Sequence, residues 1–555
     1  MKFGELAKYL QRLEQTSSRN EMTVILAQLF KEATVADAKL IAYLSQGRLG
    51  PLYANPQFQV ADKMLLRALG ERATELFKKL GDLGLVAEKF SLGHHSDISI
   101  SNVYERLKEI TEAGGGGSQE KKVSLMKSLL ADLDPLSAKY VARMILGKMR
   151  TGFSDMTVLD SLSWMLTGNK SLRGEIEAGY NVRADLGEVV TAIKTHGKPK
   201  ILEPKIGTPI LMAKAERATS AGDIWARNSR CAVEYKLDGL RIQAHVKKDE
   251  VKLFSRGLED VTSMYPDIVQ GFKHQLDKDC IVEGEMIAVG ENGRFLPFQE
   301  TVQRKRKYDI SAMAGKIPLT IYLFDVLVVE DKNIMSRPNS DRWEQLIKLV
   351  AKGERVKLME RIIAEDEDSI EKFFHTALGD GTEGIIAKKL EGPYRAGSRD
   401  FNWIKYKKSY AKSALADTID AVVMGYDAGQ GKRSDFGIGD FLIGVYDKQK
   451  DAYFTIAKVG TGLTDEEWRR MKKEIDGIKL TEKPASYQVK KGMLVDVWAK
   501  PQIVVEVQAD EITKSSMHTS GLALRFPRLI SWREKQPQDA TGIDEMAKIY
   551  QTQVR

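Results

Sequence analysis

Cysteine is nearly absent from this chain: Cys231 and Cys280 are the only two in 555 residues. Two thiols exclude a disulfide framework and a four-cysteine zinc site, and they fit a reducing compartment. Long apolar runs are missing as well, since nowhere do about 18 apolar residues follow one another. The opening "MKFGELAKYLQRLEQ" lacks the uncharged apolar stretch of a signal peptide and reads as an amphipathic helix. A cytoplasmic protein without a membrane partner is expected. A large excess of one charge is also lacking: 85 Lys+Arg against 77 Asp+Glu leave a formal +8, with a pI near 9.0. That balance suits a polyanionic partner without establishing one.

What is present points to a folded chain of several domains. A hydrophobic share of 43% with 29% charged residues is ordinary for globular protein, and 555 residues exceed what one core organises, so about three or four domains are expected. Up to roughly residue 195 apolar residues recur three and four apart, as in "FGELAKYLQRL", "MTVILAQLFKEA" and "SAKYVARMILGKM", which predicts a helical domain. Its interruption, "AGGGGSQEKK" at 113–122, is read as a mobile surface loop, because four glycines cost too much entropy inside a helix.

From about Pro209 the pattern turns to short alternating runs: "CAVEYKL", "LRIQAHV", "EVKLFSR", "CIVEGEMIAV", "LTIYLFDVLVV" and "GIIAKKL". Helical stretches "DRWEQLIKLVAK" and "SIEKFFHTAL" lie between them, which predicts a mixed α+β domain with antiparallel pairs. After about Lys408 come five short strands, "IDAVVMGYD", "DFLIGVYD", "AYFTIAKVG", "VDVWAK" and "IVVEVQADEI", with little helix between them. They predict a small β-barrel of the oligonucleotide-binding (OB) type, closed by a helix over "TGIDEMAKIYQTQ" capped at Thr541 or Asp544.

The informative residue is Lys236, set at the end of an apolar strand beside Asp238 and Gly239. Lys-x-Asp-Gly alone is weak, since chance supplies it in roughly one chain of five this size. The near miss "KEIDG" at Lys473–Gly477 has one residue too many and reads as a plain helix end. The longer pattern Glu234-x-Lys236-x-Asp238-Gly239-x-Arg241 is roughly a hundredfold rarer.

"EYKLDGLR" resembles motif I of the covalent nucleotidyltransferases, comprising DNA ligases, RNA ligases and mRNA capping enzymes. The resemblance makes Lys236 the nucleophile that attacks the α-phosphate of a nucleotide. That chemistry needs a deprotonated amine, which desolvation and neighbouring cations favour. Further motifs follow in the family's order. "FSRGLED" places Arg256 at the ribose or phosphate, and "VEGEMIAV" supplies Glu285. "YLFDVL" supplies Phe324, in isolation a core phenylalanine, as the ring that stacks on the purine, and "EGIIAKK" offers Glu383 as a metal carboxylate. "GSRDFNWIKYKKSY" places Arg399 near the nucleotide and points Lys405 and Lys407, two apart on one strand face, at the triphosphate. By the same resemblance Glu234 reads the adenine amino group and Arg241 the ribose or phosphate.

"LRFPRLISWREK", with Arg525 and Arg528, resembles motif VI of ATP-dependent DNA ligases, where arginines orient the departing pyrophosphate. "GQGKRSDFGIGDFLIGVYD" and "VGTGLTDEEW" resemble the same enzymes, and "RTGFSDMTVLDSLS" resembles the DNA-binding domain of the archaeal and eukaryotic branch, most closely the archaeal members. The GGGGS loop and the slightly irregular "KRSDFGIGDF" depart from the pattern without touching the catalytic set.

The resemblance implies a DNA-binding domain at 1–200, an adenylation domain at 201–411 and an OB-fold domain with a closing helix at 412–555. It implies nick sealing in duplex DNA, in replication, repair and recombination, through a lysyl-AMP and a 5′-adenylylated DNA. ATP is the cosubstrate, and Mg2+, with Mn2+ as an alternative, is held by Glu285 and Glu383. A monomer is expected, with "KKSYAKSALADT" around residue 412 as a hinge. A sliding clamp is a further candidate partner, although no convincing peptide motif for one is present. The competing readings are a capping-type guanylyltransferase, which would lack the helical domain, and a non-catalytic DNA-binding protein on a ligase scaffold, which has no need of the carboxylates and paired lysines. An NAD-dependent ligase is disfavoured by the missing cysteines.

Overall fold

The computed structural model describes residues 1–91, 97–199, 202–248, 250–290, 293–305, 309–407, 418–429 and 436–553. The hinge expected around residue 412 and part of the irregular "KRSDFGIGDF" lie outside them. The chain forms two compact units, Met1–Tyr406 and Lys407–Arg555. No helix among the described residues is long and apolar enough to cross a membrane.

The first unit opens with a helical region running from Phe3–Glu14 to Leu186–His196. The helix starts were written locally: Ser18, Thr34, Asp134 and Asp185 each accept the N–H three residues on, and Pro135 fills a first-turn position that needs no donor. Phe3, Leu6, Leu10 and Leu13 fall on one face and are fully buried in a core shared across the region. The glycine segment is shorter than expected. Ser118 already opens the helix Ser118–Ala131, so only residues 113–117 connect it to Ile100–Glu112. Lys122, placed in the loop by composition, is buried and donates from Nζ to the Phe58 carbonyl at 2.6 Å.

The same unit continues into eleven strands: β1 (Lys214–Arg217), β2 (Cys231–Lys236), β3 (Leu240–Lys247), β4 (Glu250–Ser255), β5 (Cys280–Ala288), β6 (Leu319–Val329), β7 (Lys332–Asn333), β8 (Val356–Leu358), β9 (Arg361–Ala364), β10 (Gly384–Lys389) and β11 (Arg399–Lys407). They make two sheets. One has the order β1-β11-β10-β2-β9; the other runs β4-β3-β5-β6-β7, with β8 parallel to β6. Helices Pro266–Gln275 and Asn339–Leu349 cover the second sheet, burying Phe272 and Leu346. Helix Glu367–Gly379 covers the first, with Phe373 tilted against Tyr235 at 5.1 Å. The chain passes between the sheets twice, at Leu237–Gly239 and at Met359–Glu360, and the first passage is the Lys-x-Asp-Gly stretch itself.

The second unit is β-rich: β12 (Ile419–Asp427), β13 (Asp440–Asp447), β14 (Ala452–Val459), β15 (Lys479–Leu480), β16 (Tyr487–Gln488), β17 (Val497–Ala499), β18 (Val504–Gln508), β19 (Glu511–Lys514), β20 (Leu522–Arg525) and β21 (Arg528–Arg533). The main path is β15-β17-β12-β13-β14-β16; β18 bridges β12 and β21, and β19 with β20 forms a separate hairpin. Helix Asp465–Gly477, closed by a reciprocal Thr464–Glu467 capping box, ends at the near-miss "KEIDG" as expected. The closing helix Ile543–Gln553 is present, but Gly542 precedes it. Thr541 instead accepts the Asp420 N–H on its hydroxyl at 3.0 Å, and Asp544 lies inside the first turn.

Candidate active site

The two-residue period of β2 puts Glu234 and Lys236 on one face, and the register of β10 decides what meets them. Gly384 stands opposite Lys236, so Glu383 comes beside the lysine: its N–H donates to the Lys236 carbonyl at 2.9 Å and its carboxylate is ion-paired with the Lys236 amine. Both side chains are about one-fifth exposed, at 22% and 19%. The amine therefore rests against a carboxylate.

Beyond the turn, β3 carries Arg241 directly across from Glu285 on β5. Gly239 makes the turn possible by close approach: a Cβ there would lie 2.4 Å from the Met286 carbonyl oxygen and 3.2 Å from Glu285 Cγ. Gly284 answers a similar demand, with Tyr322 O 2.8 Å from where its Cβ would be. Burial pushes the Glu285 carboxyl up to about 7; Lys236 and Arg241 oppose the rise, and Asp238 and Glu383 add to it.

Four groups are thus brought together: Lys236, Glu383, Glu285 and Arg241. A cleft of about 840 Å3 is lined by Tyr235, Phe295, Tyr322 and Gly381 among others, and none of the four groups is in its lining.

Two carboxylates, Glu285 and Glu383, meet two cations, Lys236 and Arg241, in this cluster. Among the described residues no group of three or more His, Cys, Asp or Glu is arranged to hold a metal. A pair of carboxylates suits Mg2+, which keeps waters and leans on substrate phosphates.

A second layer lies behind. Glu234 is buried, its Oε2 2.7 Å from Lys388 Nζ and its Oε1 3.4 Å from Arg361. Lys388 also donates to the Phe324 carbonyl at 2.8 Å and lies over the rings of Phe324 and Trp403, at 4.7 and 4.4 Å. Burial pulls the Lys388 ammonium below its ordinary range, with Glu234 opposing. Phe324 meets Trp403 edge to face at 5.8 Å. Arg241 donates to Glu283 and to the Ala213 carbonyl, both at 2.7 Å, and its guanidinium lies 5.4 Å from the Phe324 ring centre.

The other expected residues are placed as follows. Arg256, just past β4, and Arg399, which opens β11, are exposed. Lys405 and Lys407 are partly buried and alternate along β11. Arg525 ends β20 and Arg528 opens β21 in the second unit. Missed from the sequence were Lys388, Glu283, Trp403 and Arg361. Two signals were available: adjacent lysines 388 and 389 on one strand must face opposite sides, and Glu283 must share the face of Glu285.

Family models match three consecutive parts of the chain: "DNA ligase N terminus" at 2–163, "ATP dependent DNA ligase domain" at 212–407 and "ATP dependent DNA ligase C terminal region" at 434–536. A "Probable DNA ligase" of Dictyoglomus turgidum is 42% identical, covering 100% of this chain and 98% of its own length. A "DNA ligase" of Pyrobaculum arsenaticum is 36% identical, covering 100% and 99%. Among solved structures, one described as "Pmar-Lig_PreS3" matches with a TM-score of 0.53 and 15% identity over 95% of this chain and 99% of that one, a likeness of fold.

Proposed function

Because the chain belongs to the ATP-dependent DNA ligase family, whose members seal nicks in duplex DNA at the expense of ATP, we propose that Lys236 is its nucleophile and carries AMP as a lysyl-AMP before a 5′-adenylylated DNA forms. The supporting observation is the meeting of Lys236, Glu383, Glu285 and Arg241 where the chain crosses between its sheets.

The Lys236–Glu383 pair opens, and the amine attacks the α-phosphorus of ATP. An N–P bond forms as the α–β bridging P–O bond breaks; pyrophosphate departs, and solvent takes the two protons that the ion-paired ammonium loses, one before attack and one after. The 5′-phosphate at the nick then takes the AMP, breaking the N–P bond and restoring the amine. Finally the 3′-hydroxyl attacks that 5′-phosphorus and AMP leaves. Each step is an in-line displacement, so positioning and charge neutralisation carry the catalysis.

Glu285 and Glu383 would hold Mg2+, or Mn2+ in its place, which when bound neutralises phosphate oxygens. Glu234, steadied by Lys388, faces the adenine amino group, and Phe324 stacks on the base. Arg241, Arg256 and Arg399 serve the ribose and phosphates, Lys405 and Lys407 the triphosphate, and Arg525 and Arg528 the leaving pyrophosphate. Residues 1–200 grip the duplex, 201–411 adenylate, and 412–555 act as an OB-fold barrel with its closing helix, in a monomer.

The test is incubation with α-labelled ATP and magnesium, with and without Lys236→Ala, followed by nicked duplex. An adduct that needs Lys236 and is discharged by the nick supports the assignment. An adduct that persists in the variant, or labelling by GTP in preference to ATP, overturns it.

A further inference from the structure

Arg525 and Arg528 already hold anions of the chain's own. Arg525 stands across the β19–β20 hairpin from Glu511, with Nη1 2.7 Å from Glu511 Oε1. Arg528 Nη2 lies 3.0 Å from Asp510 Oδ1. The two carboxylates are consecutive in the chain, and the backbone fixes them: the Asp510 N–H donates to the Arg525 carbonyl at 2.9 Å.

The bend between the arginines is also held. Phe526 sits at φ +52°, a region bulky residues rarely adopt unless their surroundings impose it. The Thr461 hydroxyl donates to the Pro527 carbonyl at 2.9 Å, and a Cβ on Gly462 would fall 2.8 Å from the Leu529 nitrogen. The loop over Thr461–Gly462 thus packs against the bend.

A guanidinium that must neutralise a leaving pyrophosphate gains from being held in place and loses from being neutralised beforehand. The two acids differ in this respect: the Asp510 side chain is 13% exposed, that of Glu511 43%. We propose that this pair is an internal anion seat for the pyrophosphate arginines, in which Asp510 is a positioning residue that anchors Arg528 while Glu511 is a counter-ion that incoming phosphate displaces from Arg525. The seat tunes the affinity of lysine adenylylation for ATP and pyrophosphate, and it rests on the assignment of Arg525 and Arg528 made above.

The test measures lysine adenylylation by the full chain at varied ATP and pyrophosphate for Glu511→Gln, Glu511→Asp, Asp510→Asn and Arg525→Ala, with thermal unfolding to verify folding. Glu511→Gln should lower both KM for ATP and the half-inhibiting pyrophosphate concentration by about 2–5-fold, the range of a partly exposed ion pair, with a smaller change in kcat. Glu511→Asp, which keeps the charge, should stay near wild type, and Asp510→Asn should shift both constants upward. If Glu511→Gln leaves both constants unchanged or raises them while Arg525→Ala weakens pyrophosphate inhibition, the seat is refuted and the arginine assignment stands. If Arg525→Ala itself changes neither constant, the arginine assignment has failed and the seat with it.

Discussion

Gly239→Ala should cripple the first chemical step through a single added methyl group. The new Cβ would meet the Met286 carbonyl oxygen at 2.4 Å and its carbon at 3.1 Å. Ordinary contact is about 3.5 Å, and because the obstacle is backbone in the β3–β5 ladder, no rotamer change relieves it. The turn must retreat by roughly 1 Å, carrying Lys236 away from the groups it faces, and a displacement of that size costs about 10²-fold in rate, or ~2.7 kcal/mol of barrier. Overpacking should also take about 1–3 kcal/mol from stability. Single-turnover formation of the labelled adduct and urea unfolding would measure the two effects.

Gly477→Ala is the control, since Gly477 follows an aspartate in the same way yet has nothing within 4 Å of its would-be Cβ. It should be neutral or stabilising by about 0.4–1 kcal/mol. A Gly239→Ala enzyme that forms adduct within twofold of the wild-type rate would refute the close-approach argument.

Three further outcomes are expected. Arg342 and Asp325 are 0% and 1% exposed and joined at 2.8 Å, so Arg342→Met should cost about 3–5 kcal/mol by stranding a buried carboxylate; a loss under about 1 kcal/mol by urea unfolding would contradict this. Burial, with Lys252 adding, pushes the His245 imidazole down to about 3, whereas the unfolded value is about 6.5. The unfolded chain therefore takes the proton first as pH falls, so the stability this residue contributes is complete above about 6.5 and is lost toward 3 at about 1.4 kcal/mol per pH unit. Unfolding of His245→Gln between pH 4.5 and 7 should lack that part of the slope, and an identical slope would sink the assignment. Binding of nicked duplex should weaken about 10³-fold or more between 50 and 200 mM salt if several phosphates are gripped, with a shallow dependence counting against a backbone-gripping role.

The elements were legible wherever one period ran unbroken. "CAVEYKL" and "LRIQAHV" became β2 and β3, and "LTIYLFDVLVV" became β6, because alternation and β-branched residues act locally. Composition misjudged the segment after Gly117, where the chain is helical from Ser118 on although Gly117, at the N-cap position, offers no side-chain cap. The short strands β15, β16 and β20 were not separated in advance, being two to four residues long with no period to read. Lys388 was passed over because a lysine is expected outside, and the carboxylate of Glu234, 154 positions earlier, with the Phe324 carbonyl, makes its burial tolerable.

By itself the sequence determined which groups share a strand face: Glu234 with Lys236, Glu283 with Glu285, Lys405 with Lys407. A strand's two-residue period is a property of covalent geometry and needs no partner. Only the tertiary structure decided that Glu383 faces Lys236, that Glu285 faces Arg241 and that Lys388 faces Glu234. Those meetings depend on the register of strands far apart in the chain, and a slip of one residue would turn each side chain to the opposite face.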